Sequence, residues 1–244
     1  MKSLMKAFDI LEYVVLQDGR PVTSSEVAGA VGLNLATTSR IMVEMAGRGY
    51  LEKVSRKSGY RPGPMSAAIA NRDNVYHRLA QAALNPITEL AVQIGMPVNL
   101  AVMNGTRRIM LFYYNAAPQW KPWSKLTFED AENTATGRLL AATLPENIAE
   151  TLFPQMPPPF WPEVRNYVQL HRELAKIRQS GFVSFMSEPD GVPVMGYLIM
   201  AAGYPPAAIG FGIHDEERTA EIRRLSADAV LRIVQKLESE NKAY

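Results

Sequence analysis

The sequence predicts an α+β chain in two parts: a head of three short helices and a β-hairpin over residues 1–64, and a body of paired strands and helices beyond residue 85. Three observations carry this. Apolar residues recur at helical spacing three times before Gly49, and each run stops at a glycine. A basic polar tip, Ser55-Arg56-Lys57-Ser58-Gly59, is flanked by Leu51, Val54 and Tyr60, as in a β-hairpin. After Gly95, short β-branched and aromatic runs come in pairs joined by turn residues.

Taken in order, Leu4, Ala7, Phe8, Ile10, Leu11, Val14 and Val15 define a first helix over residues 3–16, and Asp18-Gly19 ends it. Thr23 or Ser24 caps a second helix, with Glu26 near the capping-box position and Gly32 at its C-terminal left-handed site. A third runs from about Asn34 to Ala46. Thr38, Ile41, Met42 and Met45 form its inner stripe, and Ala36, Thr37, Ser39 and Arg40 lie around the other face. Helices followed by a hairpin give the winged helix-turn-helix order. Met65 to Leu84 reads as a linker helix ending before Asn85-Pro86, and Pro86 to Ile94 as another. PVNLAVMNG and RRIMLFYYN read as strands joined by a type I′ turn at Asn104-Gly105. TATGRLLAATLP returns to helix, followed by a short helix to Leu152, a proline-rich loop and a charged helix from Val164 to Ser180. FVSFMSE, VMGYLIMAAGY and AAIGFGI are further strands, and His214-Asp215 opens a last amphipathic helix to about Ser239.

Composition narrows the function. The 244 residues allow two domains, and the absence of cysteine excludes disulfides, thiolate metal sites and cysteine nucleophiles. No signal-peptide pattern and no bilayer-length apolar run is present, so the expected location is cytoplasmic, with no membrane partner. Net charge is +2 overall but +3 over residues 1–64, which hold nine Lys/Arg against six Asp/Glu. A basic head permits nucleic-acid binding. His77, His171 and His214 are dispersed without metal-ligand spacing, and no G-x-S-x-G elbow, P-loop or complete dinucleotide fingerprint occurs. No metal, cofactor or enzymatic activity is expected.

Several segments resemble one family. SSEVAGAVGL, TTSRIMVEMAGRGYLEK, YRPG, a linker helix, NTATGRLLAATLP and LAKIRQSGF, in that order, are similar to the isocitrate lyase regulator (IclR) family of bacterial transcription factors. The most specific parts are Thr37-x-x-Arg40 with Arg48-Gly49-Tyr50-Leu51, and Thr134-Ala135-x-Gly137-Arg138-x-Leu140-Ala141. The resemblance implies a winged helix-turn-helix domain over residues 1–64, a linker and dimerisation helix over 65–85, and a GAF-like effector-binding domain over 86–244. It also implies a homodimer, or a dimer of dimers, on palindromic double-stranded operators. Symmetry would then set two recognition helices about 34 Å apart in successive major grooves.

Candidate DNA-binding residues are Ser24, Ser25, Asn34, Ala36, Thr37, Thr38, Ser39, Arg40, Arg56 and Lys57. Short hydroxyl side chains permit close backbone approach, and an arginine reads guanine through two hydrogen bonds. The plainer alternative for Arg40 is an ion pair with Glu44 one turn on. Leu35 stands where family members carry a basic or polar residue. Candidate effector-binding residues are Leu126, Ala135, Thr136, Gly137, Phe185, Val194, Met195, Gly210 and Gly212. The resemblance places a small carboxylate or ketone at the Ala135 and Thr136 N–H groups. Relatives that bind small polar acids line the remainder with Asp, Cys and Ser, whereas here Phe185, Val194 or Met195, Gly210 and Gly212 are apolar or bare. The expected effector has an apolar or aromatic body, with room left by the glycines. Trp120, Trp123 and Phe128 offer stacking surface or core packing. Two other readings stand beside this one: a DNA-binding protein whose C-terminal domain only oligomerises, and a small-molecule enzyme on the α/β half.

Overall fold

The computed structural model describes residues 2–55, 57–116, 126–153, 161–162, 164–187 and 191–241. It divides into two units, Met1–Asp73 with Lys121–Leu126, and Asn74–Trp120 with Thr127–Tyr244.

In the first unit, α1 (Lys2–Val15), α2 (Ser24–Val31) and α3 (Leu35–Gly47) precede the antiparallel hairpin β1 (Leu51–Ser55) and β2 (Gly59–Pro62), and α4 (Pro64–Ala70) follows. Ile10, Val14, Val22, Val27, Met42, Leu51 and Tyr60 form one buried core, so each helix contributes its apolar stripe. Thr23, not Ser24, caps α2: its hydroxyl accepts from the Glu26 N–H at 3.2 Å. The Glu26 carboxylate completes the capping box by accepting from the Thr23 backbone and also forms a salt bridge with Arg20. Gly32 takes the left-handed site at φ +67°. Gly59 is required by close approach, because a Cβ there would lie 2.0 Å from the Val22 carbonyl oxygen. That approach lets Val22 and Tyr60 exchange two backbone hydrogen bonds and seats the hairpin on the helices.

The second unit is a six-stranded antiparallel sheet between two helical layers. Its strands are β3 (Val98–Asn104), β4 (Arg107–Tyr114), β5 (Thr127–Phe128), β6 (Phe182–Ser187), β7 (Val192–Ile199) and β8 (Ala207–Gly212), in the order β5-β4-β3-β8-β7-β6. One face packs on α5 (Val75–Ile94) and α9 (Thr219–Asn241) through Leu79, Ile87, Leu100, Met195, Ile209 and Ile233. The other packs on α6 (Ala135–Ala141) and α8 (Tyr167–Ser180) through Ala101, Leu139, Leu140, Leu170, Leu174 and Ala208. α7 (Glu146–Leu152) lies between these two helices in sequence.

Three boundaries differ from the sequence reading. The linker does not end at Asn85-Pro86. The break falls between Ala70 and Val75, where the Asn74 side chain accepts from the Tyr76 and His77 N–H groups, and α5 runs through Pro86. An interior proline costs about 3 kcal/mol. The stripe Leu79, Ala82, Ala83, Pro86, Ile87, Leu90, Ala91 and Ile94, all buried, outweighs it. The β3–β4 turn is centred on Gly105-Thr106, since Asn104 pairs with Arg107. Only Gly105 there has a positive φ, the type II′ pattern rather than type I′. Finally, α9 begins at Thr219 rather than His214, after a single 3-10 turn whose Arg218 N–H is accepted by the Asp215 carboxylate at 3.3 Å.

Candidate nucleic-acid interface and ligand face

The second helix of the helix-turn-helix is α3. The Asn34 side chain caps it by accepting from the Thr37 N–H at 2.8 Å, so that oxygen is committed to the helix. Thr38 is fully buried and its hydroxyl donates to the Asn34 carbonyl at 3.1 Å, which removes it from the outward face. Its place in the inner stripe with Met42 follows from the helical period. Ala36, Arg40, Val43 and Gly47 are exposed at intervals of four, three and four residues and form one outward ridge. Thr37 and Ser39 flank it, half-buried. Val43, absent from the sequence-derived candidates, is 56% exposed. The signal that would have found it is its spacing from Ala36 and Arg40.

The head's positive charge is unevenly available. Arg20 is paired with Glu26 and Arg61 with Glu52. Among the described residues Arg40 makes no ion pair, with Glu44 or any other group, and neither do Arg48 and Lys57. Arg40 and Arg48 also border a cavity of about 550 Å³, walled on its far side by Leu4, Phe8 and Leu11 of α1. Lys57 is exposed in the hairpin turn, and Arg56 lies outside the described residues. Ser24 and Ser25 open α2, Ser25 exposed, with the cap itself supplied by Thr23.

In the second unit, strand alternation sorts the candidate ligand residues. Phe185 pairs with Val194, and Val194 with Gly212. A parallel row runs through Gly196, Gly210, Asn99 and Tyr113. Phe185 and Val194 pack in the cluster that holds α6, whereas Met195 is buried in the cluster of α5 and α9. Of the two adjacent candidates, Val194 therefore faces α6, and Met195 is on the wrong side of the sheet.

The α6 start lies close over the glycines. Thr134 caps it, accepting from the Gly137 N–H at 3.1 Å, and Ala135, Thr136 and Gly137 are buried. A Cβ at Gly137 would meet the Ala131 backbone at 2.5 Å, one at Gly196 the Ile209 carbonyl oxygen at 2.7 Å, and one at Gly210 the Thr136 methyl at 2.8 Å. The space beside Gly210 is thus taken by Thr136, which corrects the expectation that this glycine leaves volume. Gly212 is less crowded, with Met96 and Val192 at 3.3 and 3.4 Å from such a Cβ.

Charge is held close by. The Arg138 guanidinium lies 3.5 Å from the Phe185 ring centre and 4.3 Å from that of Trp161, and its Nε donates to the Glu132 carbonyl at 2.8 Å. Phe185 is therefore half of a cation–π contact, not a bare apolar wall. Buried Arg108 donates to both Asp130 oxygens, at 2.9 and 2.6 Å, and covers the Phe128 ring at 4.4 Å. This pair anchors the segment leading into α6 and gives Phe128 a packing role. Trp120 and Trp123 lie outside the described residues. Leu126 groups with the first unit, where its N–H donates to the Glu12 carboxylate at 3.4 Å.

Two polar groups escaped the sequence reading. The Asn99 Nδ2 donates to the Gly210 carbonyl at 2.8 Å, which fixes the amide orientation, and its buried Oδ1 has no donor. The buried Asn133 Oδ1 also lacks one, while the Asn133 carbonyl accepts from the Ser187 hydroxyl at 3.3 Å. An amide inside the apolar run VNLAVM was the available signal. Among the described residues no group of three His, Asp or Glu side chains could hold a metal, and no helix is long and apolar enough to cross a membrane.

A three-helix unit with a hairpin wing, followed by a three-layer α/β unit, defines a winged helix-turn-helix protein with a separate C-terminal domain. Residues 3–55 match the family model of the IclR helix-turn-helix domain. The HTH-type transcriptional regulator BhcR of Paracoccus denitrificans is 27% identical over 115 residues, which cover 46% of this chain and 39% of that protein. An IclR homolog from Microbacterium hydrocarbonoxydans, complexed with 4-hydroxybenzoate, superposes with a TM-score of 0.72 at 20% identity over 97% of this chain and 99% of that one. The Thermotoga maritima IclR gives 0.63 at 23% identity over 98% and 99%. The chain carries an IclR helix-turn-helix domain and has the fold of the IclR-family regulators.

Proposed function

We propose that the protein is a ligand-responsive, DNA-binding transcriptional regulator. The observation that carries this is Arg40: an exposed arginine without an ion-pair partner, on a ridge of small residues of the second helix in a helix-turn-helix unit. That arrangement suits entry into a major groove, with Arg40 donating to guanine O6 and N7. Ala36, Thr37 and Ser39 would allow close approach. Ser24 and Ser25 at the start of α2, and Arg56 and Lys57 in the wing, would contact phosphate. The working form is a homodimer or a dimer of dimers on a palindromic operator, with residues 65–85 contributing to dimerisation, and its place of work is the cytoplasm.

The proposed effector is a small carboxylate with an apolar or aromatic body, held on the α6 face of the sheet by Ala135, Thr136, Gly137, Phe185, Val194, Gly210 and Gly212. Val194 supplies apolar surface there, beside the Phe185 ring that packs on Arg138. The Asn99 and Asn133 oxygens favour a ligand that also donates a hydrogen bond, because leaving a buried acceptor unmet costs about 1–3 kcal/mol. The likeness to a protein complexed with 4-hydroxybenzoate, an aromatic acid with a hydroxyl donor, supports this class. A second reading also has an observation behind it: Thr136 fills the space at Gly210 and Arg138 covers Phe185, as in a domain that binds no ligand and serves assembly alone. An enzyme on this half would need a convergent acid, base or nucleophile.

The DNA half is tested by fluorescence anisotropy on duplex DNA from upstream of the protein's own gene, with wild type and Arg40→Ala. Loss of about 1–3 kcal/mol of discrimination against unrelated duplex, in a variant that still folds, is expected. Unchanged sequence preference would remove Arg40 from base reading.

A further inference from the structure

We propose that Val43 reads the 5-methyl group of a thymine next to the guanine contacted by Arg40, so that each operator half-site contains that guanine–thymine pairing of contacts. The inference rests on the DNA-binding reading above and adds to it a residue that sets base preference.

The ridge on α3 carries four residues, and their chemistry is unequal. Arg40 alone bears polar atoms; Ala36 ends in a methyl, Val43 in two, and Gly47 has no side chain. Val43 is 56% exposed, while Met42 beside it in sequence is fully buried. The exposure is therefore not a property of an open or frayed helix end. No part of the Val43 side chain can make a hydrogen bond to a base edge. In the major groove every other distinguishing group is a donor or an acceptor, and the apolar protrusion is the thymine methyl. A valine held outward on a groove-reading helix thus has one favourable counterpart among unmodified bases.

Spacing sets where that thymine lies. Arg40 and Val43 are three residues apart on one side of the helix, about 4.5 Å along its axis at 1.5 Å per residue. Successive bases on a strand are separated by about 3.4 Å. The thymine is therefore one or two base pairs from the guanine. Ala36 and Gly47, at the two ends of the ridge, keep it low: a Cβ added at Gly47 would have no neighbour within 4 Å, so this end of the helix is open to a close surface.

The test uses the full-length protein and duplexes enriched by it from a random pool. The enriched sequence is remade with deoxyuridine replacing thymidine one position at a time, which deletes the methyl and leaves every hydrogen-bonding group. Wild-type affinity should fall about fourfold at a single thymine one or two positions from the required guanine, the equivalent of about 0.8 kcal/mol for one buried methyl-sized group. Val43→Ala, which retains helix propensity, should show markedly less dependence on that methyl while still requiring the guanine. Uridine that is neutral at every position, or a Val43→Ala variant as sensitive as wild type, overturns the proposal and leaves Arg40 untouched. Absence of any enriched sequence overturns the DNA-binding reading and this inference with it.

Discussion

At the scale of single residues, the balance of charges on the head matters less than which of them are already engaged. Arg20 and Arg61 serve the fold; Arg40, Arg48 and Lys57 stay available. Counting charges from the sequence yields +3 for residues 1–64 but cannot make that division, because Arg20 lies in the loop before α2 and only the fold of that loop brings it to Glu26, six positions on. The Arg20 hydrogen bond holds the Glu26 carboxyl below its usual range, with burial acting the other way. The sign follows: a carboxyl whose pKa is lowered by folding stabilises the folded state above the unfolded value of about 4.3, and loses that contribution as pH falls through the lower folded value. We therefore expect Glu26→Gln to be less stable than wild type by at most about 1 kcal/mol at neutral pH, since water and salt screen this partly exposed pair. The difference should shrink below about pH 4. Urea unfolding across pH measures it, and a gap that persists at low pH would contradict the assignment. Thr38 shows what the period alone can settle: its hydroxyl suggested DNA contact, while its place beside Met42 in the stripe already indicated the core.

Among the elements, those with strong local signals were legible and those decided by packing were not. Helices α1, α2, α3 and α8 and the main strands of the sheet follow from periodicity, caps and turn residues. The path of α5 through Pro86 did not, because the loss at the proline is offset by burial against partners far along the chain. The meaning of the glycines was likewise hidden. Gly210 reads as free volume in sequence, but it and Gly196 are cross-strand partners that let α6 lie directly on β7 and β8. Gly196→Ala should therefore destabilise the protein by about 1–3 kcal/mol, since its Cβ would press on the Ile209 carbonyl and on Leu139. The denaturant midpoint reports this, and an unchanged midpoint would mean that α6 is not packed so closely. The candidate ligand face was legible in part: the sequence pointed to strands that the sheet places side by side, but the choice between Val194 and Met195 needed the register, and Asn99 needed the observation that its oxygen is buried without a donor.

For the whole molecule, the proposed function joins two chemistries on one chain: base reading by α3 and capture of a small acid by the α6 face. Regulation requires only that the effector bind the operator-competent and operator-incompetent states with different affinity. A coupling of about 1–3 kcal/mol gives a change of several-fold to a hundredfold in operator affinity, and linkage requires DNA to alter effector affinity by the same factor. A C-terminal domain that only assembles the protein would show no such coupling. The most direct test is anisotropy of the purified protein on DNA from upstream of its own gene, over a salt series, with and without a panel of aromatic and short aliphatic carboxylates that includes 4-hydroxybenzoate. A ligand-responsive regulator should bind selectively, bind more weakly as salt rises, and shift at least fivefold with an aromatic acid and much less with short aliphatic ones. Selective binding that no acid in the panel changes would contradict the ligand-responsive claim and favour a domain used for assembly alone.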